Sequence, residues 1–249
     1  MQQSGQTIDG LIIRETQIGD NDKLVTILSR HNGIVKAYAS GAKSIKSKKG
    51  AATCLLSYSS LTLKQKGDSY RIIEASPIEV FFKTGNDIEA LALAQYFCEL
   101  AVNIAASDEN SEIVLRLILN ALHFLGERKR NIHLLKGLVE LKLMSLTGYM
   151  PDLVACRKCL CYESDIMYFD TNEGCLYCSA CVPYEKGFAV INGTLLMALR
   201  HIVYADFSKL FLFTLPDDAA MALSKITERY LINRTERSYK TLQFFNSLF

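Results

Sequence analysis

Residues 156–181 read CRKCLCYESDIMYFDTNEGCLYCSAC and hold six of the eight cysteines in 26 positions. Cys156 and Cys159 form one C-x2-C pair and Cys178 and Cys181 a second, with 18 residues between the pairs, inside the window of a structural zinc site. Two residues between paired thiolates let a tight turn aim both sulfurs at one ion, and two such turns complete a tetrahedron. Four thiolates leave no position for water, so such a site holds structure and does not hydrolyse. Cys161 and Cys175 complicate the assignment. Cys159-x-Cys161 and Cys175-x2-Cys178 are alternative pairs, and the second would shorten the loop to 15 residues, which spacing also tolerates. The outer four are preferred, but spacing alone leaves the alternative open. An iron–sulfur cluster, buried spectator thiols and a disulfide set are the competing readings, and disulfides fit worst because nothing looks secreted.

The surrounding composition is that of ordinary globular protein: 249 residues, 49% hydrophobic and 22% charged, with a formal net charge of +2. Residues 1–75 carry 11 Lys and Arg against 6 Asp and Glu, and the remainder 17 against 20. The excess of +5 in the first part points to a polyanionic partner there. The polar start MQQSGQTIDG has no signal-peptide pattern. No span approaches roughly 20 apolar residues; the most apolar, 88–106, is broken by Gln95, Glu99 and Asn103. Free thiols in metal-pair spacing then imply a reducing, cytoplasmic setting.

Upstream of the cysteines, residues 8–75 read as five short strands. IDGLIIRETQ, KLVTILSR, IVKAYASG, LSYSSLTLKQ and SYRIIEAS are separated by IGDND, HNG, a basic loop and the hairpin signal KGD. Five antiparallel strands in this length suit a small closed barrel, which removes exposed edges; an SH3-like barrel is the rival. Ser76-Pro77 is expected to stop the last strand. From Asp87 to Gly148 apolar residues recur at helical spacing, broken by SDENSE and ERKRN, the third helix placing Leu135, Val139, Leu143 and Leu146 on one face. Residues 193–206, 217–233 and 235–248 read as helices too. The expected architecture is therefore α+β and multidomain: a barrel over 1–76, then a helical domain over 77–249 with a four-cysteine zinc knuckle inserted at about 150–186.

The loop SGAKSIKSKKG, residues 40–50, places Lys43, Lys46, Lys48 and Lys49 within seven positions and no acidic side chain among them. Lysines near phosphates release condensed counterions and give salt-sensitive, sequence-independent binding. Lys64 and Lys66 extend the cationic set, and Tyr38 in the preceding strand is a stacking platform for an unpaired base. The bland alternatives are a solvated loop and a core tyrosine. No phosphate-loop, dinucleotide, zinc-protease or nucleophile-elbow motif occurs. His31, His123, His133 and His201 are scattered, and Asp20 with Asp22 and Asp217 with Asp218 suit turns and helix starts; the chain is not read as an enzyme.

This order of features resembles the RecO family of bacterial recombination mediators. Ser40-Gly41-Ala42-Lys43 with its basic loop is similar to that family's Gly-Ala-Arg/Lys turn after the third strand. Gly148-Tyr149-Met150-Pro151-Asp152-Leu153 leading to Cys156 and Cys159, then Gly174 leading to Cys178 and Cys181, is the most specific match. Arg237-Ser238-Tyr239-Lys240-Thr241-Leu242 is similar to the family's Lys-Ser-Arg-x-Phe-Leu helix. The resemblance spans essentially the whole chain. It departs at Cys175, where the family often has a second glycine, and at Leu160, where it has glycine after the second cysteine. A cysteine standing in a glycine position favours Cys156, Cys159, Cys178 and Cys181 as ligands of one structural zinc.

The resemblance implies an OB-type barrel and a non-enzymatic DNA-binding protein. Such a protein anneals complementary strands and, with RecR, helps RecA replace single-strand-binding protein. It further implies that the helical domain accepts the acidic C-terminal tail of single-strand-binding protein, for which Arg128, Lys129, Arg130 and Lys136 offer a cationic rim. A zinc-ribbon module binding RNA or the ribosome is the alternative from another class, and a nucleotidyl-transfer or nuclease enzyme a more distant one.

Overall fold

The computed structural model describes residues 5–42, 47, 49–67, 69–81, 87–104, 108–184 and 187–249. In the strand Ser57–Lys66 every second side chain from Ser57 to Leu63 is buried and those between are not, the period of two expected where one face covers a core. This strand, β4, belongs to a closed barrel with β1 (Gln6–Ile18), β2 (Asp22–Ser29), β3 (Ile34–Ala39) and β5 (Ser69–Val80), in the order β1-β2-β3-β5-β4. Its core is built from Ile8, Ile12, Val25, Ile27, Val35, Ala37, Leu61, Leu63 and Ile72 among others. The hairpin read from KGD is present: Lys66 pairs with Ser69, and Gly67 takes φ +60°, the left-handed conformation a two-residue hairpin loop needs. The barrel is closed by a parallel contact, Ala37 with Tyr70 and Tyr38 with Arg71, that no local pattern announces.

Ser76-Pro77 does not stop the last strand. β5 continues to Val80, with Pro77 opposite Ser59 beside a register shift between Tyr58 and Ser59. An irregularity of that kind relieves the ladder of a regular N–H donor, so a residue lacking one is tolerated there.

By contact density the chain forms two compact units, 1–127 with 239–249, and 128–238. In the first, the barrel is accompanied by α1 (Ile88–Ile104), α2 (Ser111–Gly126) and the chain's last helix (Lys240–Asn246). That last helix begins at Lys240 rather than 235, because Glu236 adopts φ +52° and ends the preceding helix. Its first turn is held by Glu99, whose carboxylate accepts from the Thr241 N–H at 3.0 Å and from the Thr241 hydroxyl, while Tyr239 meets Tyr96 edge-on at 6.0 Å.

The second unit contains α3 (Ile132–Leu146), β6 (Asp152–Cys156), β7 (Ile166–Asp170), β8 (Cys175–Cys178), β9 (Ala189–Asn192), α4 (Gly193–Tyr204) and α5 (Asp217–Thr235); the last helix of the chain is α6. Asn131 and Asn192 cap α3 and α4 with their side-chain oxygens, accepting from Leu134 N–H at 3.1 Å and Leu195 N–H at 2.9 Å. Asp217 and Asp218 lie in the first turn of α5, as a helix start requires. The four strands make a sheet in the order β6-β8-β7-β9, which the cysteine spacing did not foreshadow. Helix α3 is not buried on one face only: every residue from Leu134 to Met144 is buried, Lys136, Glu140 and Lys142 included.

Candidate metal centre and nucleic-acid interface

Cys156 ends β6 and Cys178 ends β8, so the sheet delivers one ligand of each pair and the following turns return the others. The Sγ atoms of Cys156, Cys159, Cys178 and Cys181 all lie within 4.8 Å of one another. In the first turn Leu160 N–H donates to Cys156 O at 2.9 Å; in the second Cys181 N–H donates to Cys178 O at 3.0 Å. Cys161 and Cys175 are outside the cluster. The Cys161 thiol donates to Glu163 O at 2.8 Å, and Cys175 Sγ accepts from Arg157 Nη1 at 3.5 Å.

The donor set fits a thiophilic ion. Burial alone would push the Cys156 thiol up, but the backbone N–H groups of Cys159, Cys178 and Lys158 outweigh it and bring its pKa down to about 6. Cys181 is pushed up to about 12 by hydrogen bonding with the Cys159 and Cys178 thiols. Without a cation, four sulfurs this close cannot all be ionised; a divalent ion removes that conflict, and protons compete with it.

Two helices brace the knuckle. Tyr230 of α5 donates its hydroxyl to Tyr149 O at 2.7 Å and packs against Phe169 at 5.3 Å, burial pushing its pKa up to about 12. Gly174 faces that hydroxyl at φ +73°, and a Cβ there would sit 2.9 Å from it, which accounts for glycine at this position. Asn233 and Arg234 of the same helix donate to Asn172, at 2.7 Å to Oδ1 and 3.0 Å to O. From α4, Arg200 donates to Leu153 O, Val154 O and Tyr162 O. Arg200 was missed in the sequence. Its one signal is a cation where the period of LLMALRHIVY asks for an apolar residue.

On the barrel, strand pairing builds a row. Tyr38 on β3 lies opposite Arg71 on β5, which lies opposite Lys64 on β4. Ala37 and Ala39 point inward and are fully buried, so Tyr38 points outward and is 41% exposed; it is not core. Lys64, Lys66 and Arg71 are exposed. A concavity of about 370 Å³ at this end is lined by Tyr38, Ser40, Lys66, Ser69, Tyr70 and Arg71. Arg71 meets Lys64 through the hairpin and Tyr38 through the parallel closure.

In the lysine loop the Lys49 ammonium donates to Ile72 O at 2.9 Å and is partly buried, so one of its three donors ties the loop base to β5. Lys43, Lys46 and Lys48 lie outside the described residues. Lys136 needs a correction: it is fully buried, with Nζ 2.9 Å from Glu140 and 2.8 Å from Glu228, and cannot rim an exposed pocket. Arg128 and Lys129 are exposed, and Arg130 donates to Phe213 O at 3.4 Å. A separate hollow of about 630 Å³ in the second unit is lined by Val154, Tyr162, Met197 and Tyr204, of which Met197 is 70% exposed.

A five-stranded OB-type barrel followed by helices and a four-cysteine cluster defines a class of two-unit barrel proteins. Models of that class match the chain along its length: recombination protein O N terminal over residues 1–81 and recombination protein O C terminal over residues 85–243. A DNA repair protein RecO of Acetivibrio thermocellus is 32% identical over 239 residues, 96% of this chain and 95% of the relative. That of Symbiobacterium thermophilum is 28% identical over 244 residues, 97% and 96% of the two chains. The chain belongs to the recombination protein O family.

Proposed function

We propose that this chain acts in DNA repair as a non-enzymatic recombination mediator. It binds single- and double-stranded DNA, anneals complementary strands, and with RecR assists the loading of RecA onto DNA coated by single-strand-binding protein. The repair role is supported by the family and by the name its relatives carry. The DNA-binding reading is carried by the Tyr38–Arg71–Lys64 row with Lys66 beside it, an aromatic face among cations on one side of a barrel. Lys43, Lys46 and Lys48 extend the cationic set in this reading. No helix among the described residues is long and apolar enough to cross a membrane; the site of action is the cytoplasm, at the nucleoid.

Cys156, Cys159, Cys178 and Cys181 would hold one zinc. When bound it supplies a cross-link between the two turns and no reactive position. The residues themselves do the rest: β6 and β8 place the sulfurs, and α4 and α5 hold the strands.

Binding of labelled single-stranded DNA, compared with structured RNA over a series of salt concentrations, tests the nucleic-acid reading. Replacing Lys64, Lys66 and Arg71 by Ala should lower affinity for unrelated sequences alike and flatten the log–log salt slope by about 0.7 per lost phosphate contact. An unchanged slope removes this face from the mechanism, and tighter binding of structured RNA moves the protein to the RNA-binding class. For the acidic tail of single-strand-binding protein, the rim is Arg128, Lys129 and Arg130 without Lys136. A labelled tail peptide should lose affinity for the triple Ala variant. Loss in M197D alone would move the tail to the apolar hollow.

A further inference from the structure

Arg200 is a cation in the middle of α4, only 9% exposed. Its guanidinium leaves the helix and reaches the knuckle. Nε donates to Leu153 O at 2.8 Å, and Nη2 donates to Val154 O at 2.8 Å and Tyr162 O at 2.6 Å. The Glu163 carboxylate lies 3.7 Å from Nη1, and the guanidinium carbon sits 3.9 Å over the Tyr162 ring centroid. Leu153 and Val154 precede Cys156, and Tyr162 follows Cys161, so the three carbonyls bracket the first cysteine pair from both sides.

The two halves of the site are supported differently. Cys178 ends a strand in the interior of the sheet, paired on one side with β7 over four residues and on the other with β6. Cys156 ends the edge strand, which meets β8 only at Asp152 and Cys156, with a register irregularity between them. The backbone between Asp152 and Cys156 therefore lacks ladder partners, and a buried carbonyl such as that of Leu153 is costly without a donor. A planar, always-charged fork with several donors can hold three carbonyls at once; an ammonium on a flexible stem cannot match that geometry.

We propose that Arg200 is a positioning residue of the metal site: it pre-forms the first cysteine turn, and retention of the ion depends on it. This rests on the reading that the four thiolates hold zinc. Loss of partners outside the ligand shell weakens metal affinity by about 10- to 100-fold at comparable sites.

The test follows transfer of zinc from the full-length protein to a chromogenic chelator at fixed pH and temperature. The proteins compared are the wild type, R200K, R200A and the control T227V, which loosens a buried contact between α3 and α5 by removing the hydroxyl bonded to Glu140. Helical circular dichroism is recorded for each. R200K should release zinc about tenfold faster than wild type and R200A up to about a hundredfold faster, with T227V at the wild-type rate. If R200A fails to fold, R200K decides. Wild-type release rates in the Arg200 variants overturn the proposal, as does equal acceleration by T227V, which would show general loosening only. Wild-type protein purified without chelators and free of zinc overturns the metal reading and this proposal together; zinc-loaded wild type with unaffected Arg200 variants overturns this proposal alone.

Discussion

The barrel and the second unit bury their interiors by opposite means. The barrel buries Ile, Val, Leu and Ala with a few neutral hydroxyls, Thr26, Ser29, Ser57 and Ser59, and no charged side chain among its described residues. The second unit buries Lys136, Glu140, Lys142, Arg200 and Thr227 among its apolar residues, and Cys156 and Cys178 of its knuckle besides. Each buried cation there is answered: Lys136 by Glu140 and Glu228, Lys142 by Val203 O at 3.1 Å near the C-terminal end of α4, Arg200 by three carbonyls. Desolvation still lowers the pKa of Lys142. An apolar core tolerates shape change because its contacts are many and non-directional, whereas a paired core fails when one partner is removed, since the other is left buried and unsatisfied.

The largest break should come at the knuckle. Changing Cys156 or Cys178 to Ser is expected to abolish zinc retention and the cooperative unfolding of residues 128–238, because metal-binding free energy at such sites is folding free energy. Elemental analysis with thermal unfolding checks it. Iron in place of zinc, or equal metal loss in C161S or C175S, would reassign the centre. Acidification should release the metal as well. Protons compete with the ion for the four thiolates, so retention falls as pH falls.

Next in size is the buried pair. K136M should cost about 3–5 kcal/mol, because it strands Glu140, which is fully buried. K136M with E140L should recover most of that loss. The barrel comparison is I27V, expected to cost about 0.5–1.5 kcal/mol. Denaturant midpoints of the three variants measure the contrast; a K136M loss no larger than that of I27V would erase it.

A smaller effect is expected at Tyr38. Its replacement by Ala should weaken single-strand binding by about 1–3 kcal/mol per base stacked there, while leaving the salt slope as it was. Equal loss on a strand with an abasic site opposite that position would argue against stacking.

The smallest concerns Leu160, which follows the second cysteine with φ +62° and is 78% exposed. A left-handed conformation costs a non-glycine residue about 1–2 kcal/mol. L160G should therefore stabilise the zinc-loaded protein by about 1 kcal/mol or less, once the extra chain entropy of glycine is set against the relief. A lower unfolding midpoint for L160G would show that Leu160 has a packing role.

Much of this was readable along the chain. The Val-, Ile- and Tyr-rich runs of β1 to β5, bounded by turn residues, mark a barrel, and KGD marks its last hairpin. The two C-x2-C pairs mark the four thiols that converge; Cys161 and Cys175 stayed open until the fold showed their thiols turned to Glu163 O and Arg157. Pro77 misled because a proline reads as a strand end unless the partner strand supplies an irregularity, and Ser59 is 18 residues away. Lys136 misled because an isolated lysine reads as a surface residue until its partners are known, and Glu228 is remote in sequence.

By itself, then, the sequence determined what spacing within a few residues can determine: strand period, helix period, turn glycines, and cysteine pairs placed to share an ion. The tertiary structure alone decided what depends on distant segments meeting. It set Arg71 beside Tyr38 by closing the barrel with a parallel pair, buried Lys136 between two glutamates, and turned Arg200 toward an edge strand short of hydrogen-bond partners. The physical reason is that a charge or a carbonyl is satisfied by whatever lies within about 3 Å in space, and that neighbour is chosen by the fold, while local periodicity records only which side of an element faces the core.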